Sequence, residues 1–249
     1  MRNAWIAAAA AALVFTSTAQ EQPKPARTIL AIGAHAGDME LTCGALLLKE
    51  SQRGDRVVIL HLTLGERGNP ALAPDAYAEQ KRREATAAAA ALGAEVMFGP
   101  YRDGEIPNGE AVRRYVAGVI RQVRPTLVIT HWQTSIHKDH AATSAIVDDA
   151  VLLASFDGWR GVRSVWYAEN WEDAEGFAPY VYVDVSGFIP RWRDAVTKYE
   201  FVRGGISSFA YLDYYTALAT VRGAEAHKGQ AIAFDVPSYA KRRVLDDVP

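Results

Sequence analysis

Short apolar runs alternate with segments of helical pattern through the N-terminal part of the chain, and this alternation limits the fold more than any other feature. Three runs are predicted to be buried strands, Thr28–Ala34, Val57–Leu64 and Thr126–Trp132, and Glu95–Phe98 is predicted to be a short strand. Four further segments are predicted to be helices: Asp38–Arg53, Tyr77–Leu92, Glu110–Val123 and Asp139–Leu153. Regular alternation of strand and helix predicts an α/β fold with a doubly wound, mostly parallel, Rossmann-like sheet.

The C-terminal part of the chain has a different pattern. Val162–Glu169 and Tyr180–Val185 alternate apolar and polar residues, as half-exposed strands do. Arg191–Val202 and Tyr211–His227 have the pattern of helices. We therefore predict a C-terminal strand and helix extension that packs on the sheet. Because no linker interrupts the pattern, residues 28–249 are expected to form a single domain.

The N-terminus has the anatomy of a secretory signal peptide. Arg2 precedes an apolar stretch, Ile6–Phe15, and the small residues around Ala19 offer a cleavage site. We predict a signal peptide over residues 1–19, a disordered leader over residues 20–27, and export to the periplasm or the medium. A retained anchor and a buried helix are the alternatives. The apolar stretch is too short to cross a bilayer comfortably, so no stable membrane span is expected after cleavage.

Composition excludes several kinds of site and partner. Cys43 is the only cysteine, so neither an intrachain disulfide nor a cysteine-rich zinc site can form. The formal net charge is −2 and no block of lysine or arginine occurs, so no nucleic-acid partner is expected. Any metal must therefore be bound by histidines and carboxylates.

Histidines and aspartates cluster at the ends of two predicted strands. His35 and Asp38 follow the first strand, and the segment "THWQTSIHKDH" at residues 130–140 follows the fourth. In open parallel sheets, ligands bind beyond the carboxyl ends of the strands. Two histidines and an aspartate from these loops would form an open catalytic zinc site, although iron or cobalt suits the same ligands. The alternative is a set of ordinary hydrogen-bonded histidines, which is our expectation for His61 inside the second strand.

Several motifs together resemble the PIG-L/LmbE-type zinc-dependent N-deacetylases. The stretch "AHAGDM" at residues 34–39 is similar to the first motif of that family, Ala-His-Pro-Asp-Asp-Glu, and "TCG" follows it. The stretch "HKDH" at residues 137–140 is similar to the family's His-Pro-Asp-His. Weaker similarities to segments of the same family are found in "LTLGERG" at residues 62–68, in the helix carrying Glu84 and Gly93, in "RDGEI" at residues 102–106 and in "VRGAEA" at residues 221–226. The resemblance extends from about Thr28 to Phe234.

The resemblance implies a metal site and a reaction. It implies one zinc ion bound by His35, Asp38 and His140, with His137 stabilising the oxyanion or protonating the leaving amine. The implied substrate is an N-acetylglucosamine-type sugar or a similar small glycoconjugate, from whose amide nitrogen a metal-activated water removes the acetyl group. Zinc lowers the pKa of water and polarises a carbonyl, which suits this chemistry.

The first motif departs from the family at the position of its general base. Gly37 stands where the family has an aspartate, and glycine cannot take a proton. Glu40 is one candidate replacement. Another carboxylate, from Asp103, Asp139 or Glu66, is a second, and catalysis by zinc and His137 alone is a third. Losing a general base costs on the order of 10²–10⁴-fold in rate, so a slow enzyme is compatible with the sequence. The remaining hypothesis is a non-hydrolytic metal- and carbohydrate-binding protein that has kept the pocket.

Other residues are expected to contact substrate or to position the ligands. The predicted substrate-binding residues are Gly37, Glu66, Arg82, Asp103 and Trp132. Arg82 belongs to the run Lys81–Arg83, which otherwise has the character of a solvated helix face. Trp132 follows the fourth strand, where its ring could stack on a sugar. Asp139 adjoins a predicted ligand and is expected to orient a histidine ring rather than to react.

Overall fold

A seven-stranded sheet forms the centre of the protein in the computed structural model, which describes residues 26–242. The strands are β1 (Thr28–Gly33), β2 (Arg56–His61), β3 (Glu95–Phe98), β4 (Leu127–His131), β5 (Ser164–Ala168), β6 (Val181–Asp184) and β7 (Ala231–Asp235). The predicted signal peptide and most of the predicted leader lie outside the described residues.

The order of the strands is β3-β2-β1-β4-β5-β7-β6. The first five strands pair in parallel, whereas β7 pairs antiparallel with both β5 and β6. The predicted mostly parallel α/β sheet is confirmed. The sequence analysis missed β7, however. The tail does more than pack on the sheet, because its last strand inserts between two others and extends the sheet.

Seven α-helices cover the faces of the sheet in residues 26–242. They are α1 (Asp38–Thr42), α2 (Gly44–Gln52), α3 (Pro74–Leu92), α4 (Glu110–Val123), α5 (Lys138–Phe156), α6 (Ile189–Val196) and α7 (Tyr211–Glu225). None of the helices in this range is long and apolar enough to cross a membrane.

Two predicted helices are interrupted. The segment predicted as one helix, Asp38–Arg53, divides at Cys43 because the Glu40 carbonyl accepts a hydrogen bond from the indole of Trp192 at 2.8 Å. In a continuous helix that carbonyl would accept the N–H of Gly44. The segment predicted as Arg191–Val202 ends at Val196 and continues as a short 3-10 turn, Phe201–Arg203.

Both faces of the sheet are buried, which explains the continuous apolar runs of its central strands. Along β1, Leu30 and Ile32 face the core formed with α4 and α5, whereas Ile29 and Ala31 face the core beneath α2. Because β1 and β4 are adjacent and parallel, the loops that follow them meet at one edge of the sheet. That edge carries the two histidine clusters.

Candidate functional site

A cavity of about 830 Å³ opens at the carboxyl ends of β1 and β4. Its floor includes His35 and Asp38 from the loop and helix after β1, and His137 and His140 from the start of α5. Gly37 adopts a φ of 112°, which turns the chain sharply between His35 and Asp38. The Asp38 carboxylate then accepts the N–H of His35 at 2.7 Å, which fixes the loop.

The predicted metal ligands converge. The Nδ1 atom of His35 lies 3.3 Å from Oδ2 of Asp38 and 3.3 Å from Nε2 of His140. The third distance, from Nε2 of His140 to Oδ2 of Asp38, is 3.6 Å. Bonds of about 2.0–2.1 Å in tetrahedral geometry place zinc ligands roughly 3.3–3.5 Å apart. The three atoms therefore match one face of a zinc tetrahedron and leave its fourth corner open.

Buried carboxylates hold the histidine rings from behind. Nε2 of His35 lies 3.2 Å from Oδ1 of Asp103 and 3.5 Å from Oδ2 of Asp139. Asp139 also accepts the N–H of Gly104 at 2.7 Å. Nδ1 of His140 lies 3.4 Å from Oδ1 of Asp173. Carboxylates in such positions orient metal-binding imidazoles and raise their basicity. Asp139 lies near His35 and not beside the ring of the adjoining His140, and its orienting role stays a prediction.

The electrostatics of the cluster favour a cation. Burial opposes the charged forms of both His35 and Asp38, but it is outweighed by the carboxylates around His35, Asp38 foremost, and by the histidines around Asp38, His140 foremost. The pKa of His35 is raised and that of Asp38 is lowered. Burial also disfavours a charged His131, yet the nearby carboxylates of Asp173 and Asp38 raise its pKa. Several ionised carboxylates thus surround the point at which the three ligand atoms meet.

His137 faces the same cavity from the first position before α5. Its Nδ1 atom accepts the N–H of Asp139 at 3.2 Å, so the proton of the neutral ring lies on Nε2. Its ring centroid lies 4.6 Å from that of His35 and 4.8 Å from that of His140. Burial lowers the pKa of His137, and the charges of His35 and His140 lower it further. The ring is therefore a hydrogen-bond donor beside the predicted ligands.

Glu40 lies outside the cavity, which argues against its predicted catalytic role. Its side chain is fully buried beneath α1, where Oε1 accepts the hydroxyl of Tyr199 at 2.7 Å and lies 3.1 Å from Nε2 of His61. Glu40 follows Asp38 by two residues, so the helix turns its side chain to the face opposite that of Asp38. Glu40 therefore belongs to the core, together with His61, which was predicted to be a core histidine.

Three predicted substrate-binding residues also lie outside the cavity. The indole of Trp132 donates to the carbonyl of Glu175 and packs on neighbouring aromatic rings. The guanidinium of Arg82 lies over the ring of Phe98 on an exposed face of α3. Glu66 is buried and accepts the N–H of Asp103 at 3.1 Å, so it supports a loop of the site. Asp103, in contrast, lines the cavity, and its contact with substrate stays a prediction.

Aromatic residues and Lys81 occupy the space next to Gly37. A Cβ atom added to Gly37 would lie 2.8 Å from Cζ of Phe201 and 3.7 Å from Nζ of Lys81. The left-handed backbone conformation is itself unfavourable for other residues. Gly37 itself does not line the cavity, and its contact with substrate stays a prediction.

The sequence analysis missed most of the cavity wall. Lys81 enters the cavity from α3, where its neighbours Arg82 and Arg83 are exposed. Glu172 lines the cavity near His140, with Oε2 at 3.9 Å from Nδ1. The tail contributes the aromatic residues Trp171, Phe201, Tyr211 and Tyr215. The inward-facing position of Lys81 follows from its spacing of four residues from Tyr77 and Ala85, both buried on α3, whereas the tail offers no such signal.

Two known enzymes are similar to this chain in sequence. It is 23% identical over 223 residues to the 4-oxalmesaconate hydratase of Pseudomonas putida KT2440, covering 84% of each chain. It is 32% identical over 171 residues to the 1D-myo-inositol 2-acetamido-2-deoxy-alpha-D-glucopyranoside deacetylase of Kineococcus radiotolerans, covering 54% of this chain and 47% of that relative.

A solved structure and a family model extend the comparison. The fold matches that of the N,N'-diacetylchitobiose deacetylase of Pyrococcus horikoshii with a TM-score of 0.74 at 20% identity, over 88% of this chain and 86% of that chain. The family model described as "PIG-L: GlcNAc-PI de-N-acetylase" matches residues 30–151. That segment contains the predicted ligands and His137. Residues 30–151 of this chain therefore form a PIG-L domain.

Proposed function

We propose that this protein is an exported, metal-dependent hydrolase that removes an acetyl group from the amide nitrogen of a small N-acylated sugar or glycoconjugate. The spacing of the three atoms from His35, Asp38 and His140, 3.3–3.6 Å, is the observation on which the proposal depends. Relatives named as deacetylases support the hydrolase class. The signal-peptide pattern of residues 1–19 supports export.

The donor set favours zinc as the metal. Two imidazoles, one carboxylate and an open fourth position are typical of catalytic zinc sites. When bound, zinc would act as a Lewis acid and lower the pKa of water. The aromatic wall of the cavity offers apolar faces on which a sugar ring can stack.

His137 is the proposed partner of the reacting carbonyl. Because Nδ1 is occupied by the N–H of Asp139, the Nε2 proton is free to point towards a bound substrate. A donor held in this way stabilises negative charge that develops on the carbonyl oxygen, and can pass its proton to the departing amine. Asp139 thereby has a second role, since its backbone selects the tautomer of His137.

Glu172 is the proposed proton acceptor in place of the missing aspartate. Asp103 accepts the N–H of Arg67 and faces His35, so it is engaged in holding the site. Among residues 26–242, in contrast, we find no hydrogen-bond donor to the carboxylate of Glu172, which faces the cavity. Its pKa is raised by burial and by the charge of Asp38, and a less acidic carboxylate accepts a proton more readily.

The test is release of acetate by the purified protein with and without added zinc. N-acetylglucosamine, its oligomers and N-acetylglucosaminyl conjugates form the panel, and His140→Ala and Glu172→Gln are the variants. The proposal expects zinc-dependent acetate release that His140→Ala abolishes and Glu172→Gln reduces by about 10²-fold or more. Zinc binding without acetate release from any member would favour the non-hydrolytic carbohydrate-binding hypothesis.

A hydratase is a second candidate function. The similarity to 4-oxalmesaconate hydratase covers 84% of each chain, more than the similarity to the Kineococcus deacetylase covers. Hydration of a double bond needs a water and a proton donor, but no amine has to leave. Loss of the near-ultraviolet absorbance of an unsaturated conjugated acid, without release of acetate from the sugar panel, would assign the hydratase activity instead.

A further inference from the structure

Lys81 is a charged side chain buried inside the cavity. Its side chain is only 4% exposed and reaches from α3 towards the loop after β1. The ammonium donates a hydrogen bond to the carbonyl of Ala36 at 2.5 Å. The rings of Phe201 and Tyr199 lie 4.2 and 4.7 Å from it and contact it by cation–π interaction. An ammonium group has three N–H donors, so the carbonyl uses only one.

Lys81 has no anionic partner within residues 26–242, because no carboxylate oxygen there lies within 4 Å of its Nζ. The acidic residues that act on it from further away are engaged elsewhere. Asp38 accepts the N–H of His35, and Glu40 accepts the hydroxyl of Tyr199. Glu84 accepts the side-chain amide of Gln80, and Asp103 accepts the N–H of Arg67. Burying a charge without a counterion is costly. Burial accordingly lowers the pKa of Lys81 to about 8.

We infer that Lys81 is a binding site for a carboxylate group of the substrate, at the corner of the cavity beside Gly37. The inference deepens the proposed function and rests on it for the identity of the cavity as the substrate site. A substrate carboxylate would supply the missing counterion and would accept the unused N–H donors. It would also fix which end of the substrate lies towards Gly37 and which towards the predicted metal ligands.

Glycine at position 37 is part of this arrangement. A side chain there would start 3.7 Å from Nζ of Lys81, so an acidic residue at 37 would lie next to the ammonium. With glycine, the protein does not provide a counterion at this corner, and the ligand can.

The surroundings favour a carboxylate over a phosphate. A phosphate monoester carries between one and two negative charges near neutral pH and is usually met by several donors. Here one ammonium lies beside two aromatic rings, with acidic residues at longer range. This environment suits a ligand that carries a single negative charge next to an apolar group.

The test compares two ligands that differ only in charge. N-acetylmuramic acid carries a carboxylate on an N-acetylglucosamine frame, and its methyl ester has nearly the same shape without the charge. Calorimetric titration of the zinc-loaded protein should show that the wild type binds the acid about 10- to 100-fold more tightly than the ester. Lys81→Met should remove this preference. Arg83→Met, which deletes an exposed positive charge two residues away on α3, should keep it.

Each outcome of this titration supports or overturns the carboxylate site. A wild type that does not prefer the acid would overturn the inference, and so would Lys81→Met with the preference intact, since the carboxylate would then be bound elsewhere. Tighter binding of N-acetylglucosamine 6-phosphate than of the acid would assign the corner to phosphate instead. Thermal unfolding checks that the variants fold, and Lys81→Gln is the second neutral variant.

Acetate measured in the same mixtures reports separately on the proposed function. A Lys81-dependent preference for the acid without acetate release would support the carboxylate site and count against the hydrolase. Acetate release from acid and ester at equal rates, with equal binding, would support the hydrolase and overturn the carboxylate site.

Discussion

Oδ1 of Asp173 lies 3.4 Å from Nδ1 of His140, on the side of the ring away from the atom that faces His35. Its second oxygen, Oδ2, lies 3.5 Å from Nδ1 of His131. Asp173 is 1% exposed. One buried carboxylate therefore pairs with a predicted metal ligand and lies close to the histidine stacked on it at 4.0 Å.

Asp173→Asn is expected to weaken metal binding without removing a ligand. The amide keeps the shape but lacks the charge that makes the His140 ring more basic. We expect zinc affinity to fall by about 10- to 100-fold, measured by competition with a chromophoric chelator. His227→Asn, at a histidine outside the cavity, should leave the affinity unchanged. An unaltered affinity in Asp173→Asn would show that the contact does not tune the ligand.

Gly37→Asp alone is not expected to restore a general base. Its Cβ would meet Phe201 at 2.8 Å, and the φ of 112° is unfavourable for any residue with a side chain. We expect a loss of about 1–3 kcal/mol in the free energy of unfolding, measured by chemical denaturation, and no gain in acetate release. Adding Phe201→Ala opens the space and should recover part of the lost stability. A Gly37→Asp variant that is as stable as the wild type would contradict this account.

Glu40→Gln is expected to change stability rather than metal content. Burial would raise the pKa of Glu40, but the contacts with His61 and Tyr199 outweigh it and hold the pKa below the ordinary value of 4.5. Because the folded chain binds this proton less readily than the unfolded chain, ionised Glu40 stabilises the fold above pH 4.5. That contribution is lost as the pH falls through the folded pKa.

The difference in unfolding free energy between wild type and Glu40→Gln should therefore be about 1–3 kcal/mol near neutral pH and should shrink below pH 4.5. Denaturation at a series of pH values measures it. Zinc content per chain provides the control. A Glu40→Gln protein that has normal stability but no longer releases acetate would instead assign a catalytic role to Glu40.

His137→Gln is expected to reduce turnover while the metal stays bound. Glutamine keeps polar atoms near the cavity, but it does not reproduce the held Nε2 donor. We expect kcat to fall by about 10²–10³-fold, with zinc content unchanged and little change in KM. Steady-state acetate release and metal analysis measure the two quantities. A variant that loses its zinc would show that His137 is itself a ligand.

The meeting of the two histidine clusters is predictable because their positions depend on local pattern and on one rule of topology. An apolar run that ends at His35 predicts a strand end, and the same holds for the strand before His137 and His140. Parallel strands place their carboxyl ends at one edge. The pairing of β1 with β4 then brings the two loops together, as the sequence analysis assumed.

The rest of the site depends on contacts between residues far apart in the chain. Glu40 follows Asp38 by two residues, yet its environment is decided by Tyr199, 159 positions later. Phe201 fills the corner beside Gly37 from the same distant segment. Neither contact leaves a periodic pattern, so sequence reasoning offered Glu40 as a base and could not foresee the aromatic corner.

The sequence by itself determined the α/β class and the edge of the sheet at which the two histidine clusters lie, because hydrophobic periodicity and strand ends are local properties. The tertiary structure decided which side chains enter the cavity. It brought Phe201 and Tyr211 of the tail into the cavity wall, and it inserted β7 within the sheet. These outcomes follow from packing of the tail against α1 and α3, which brings together residues whose separation in sequence carries no information about their distance in space.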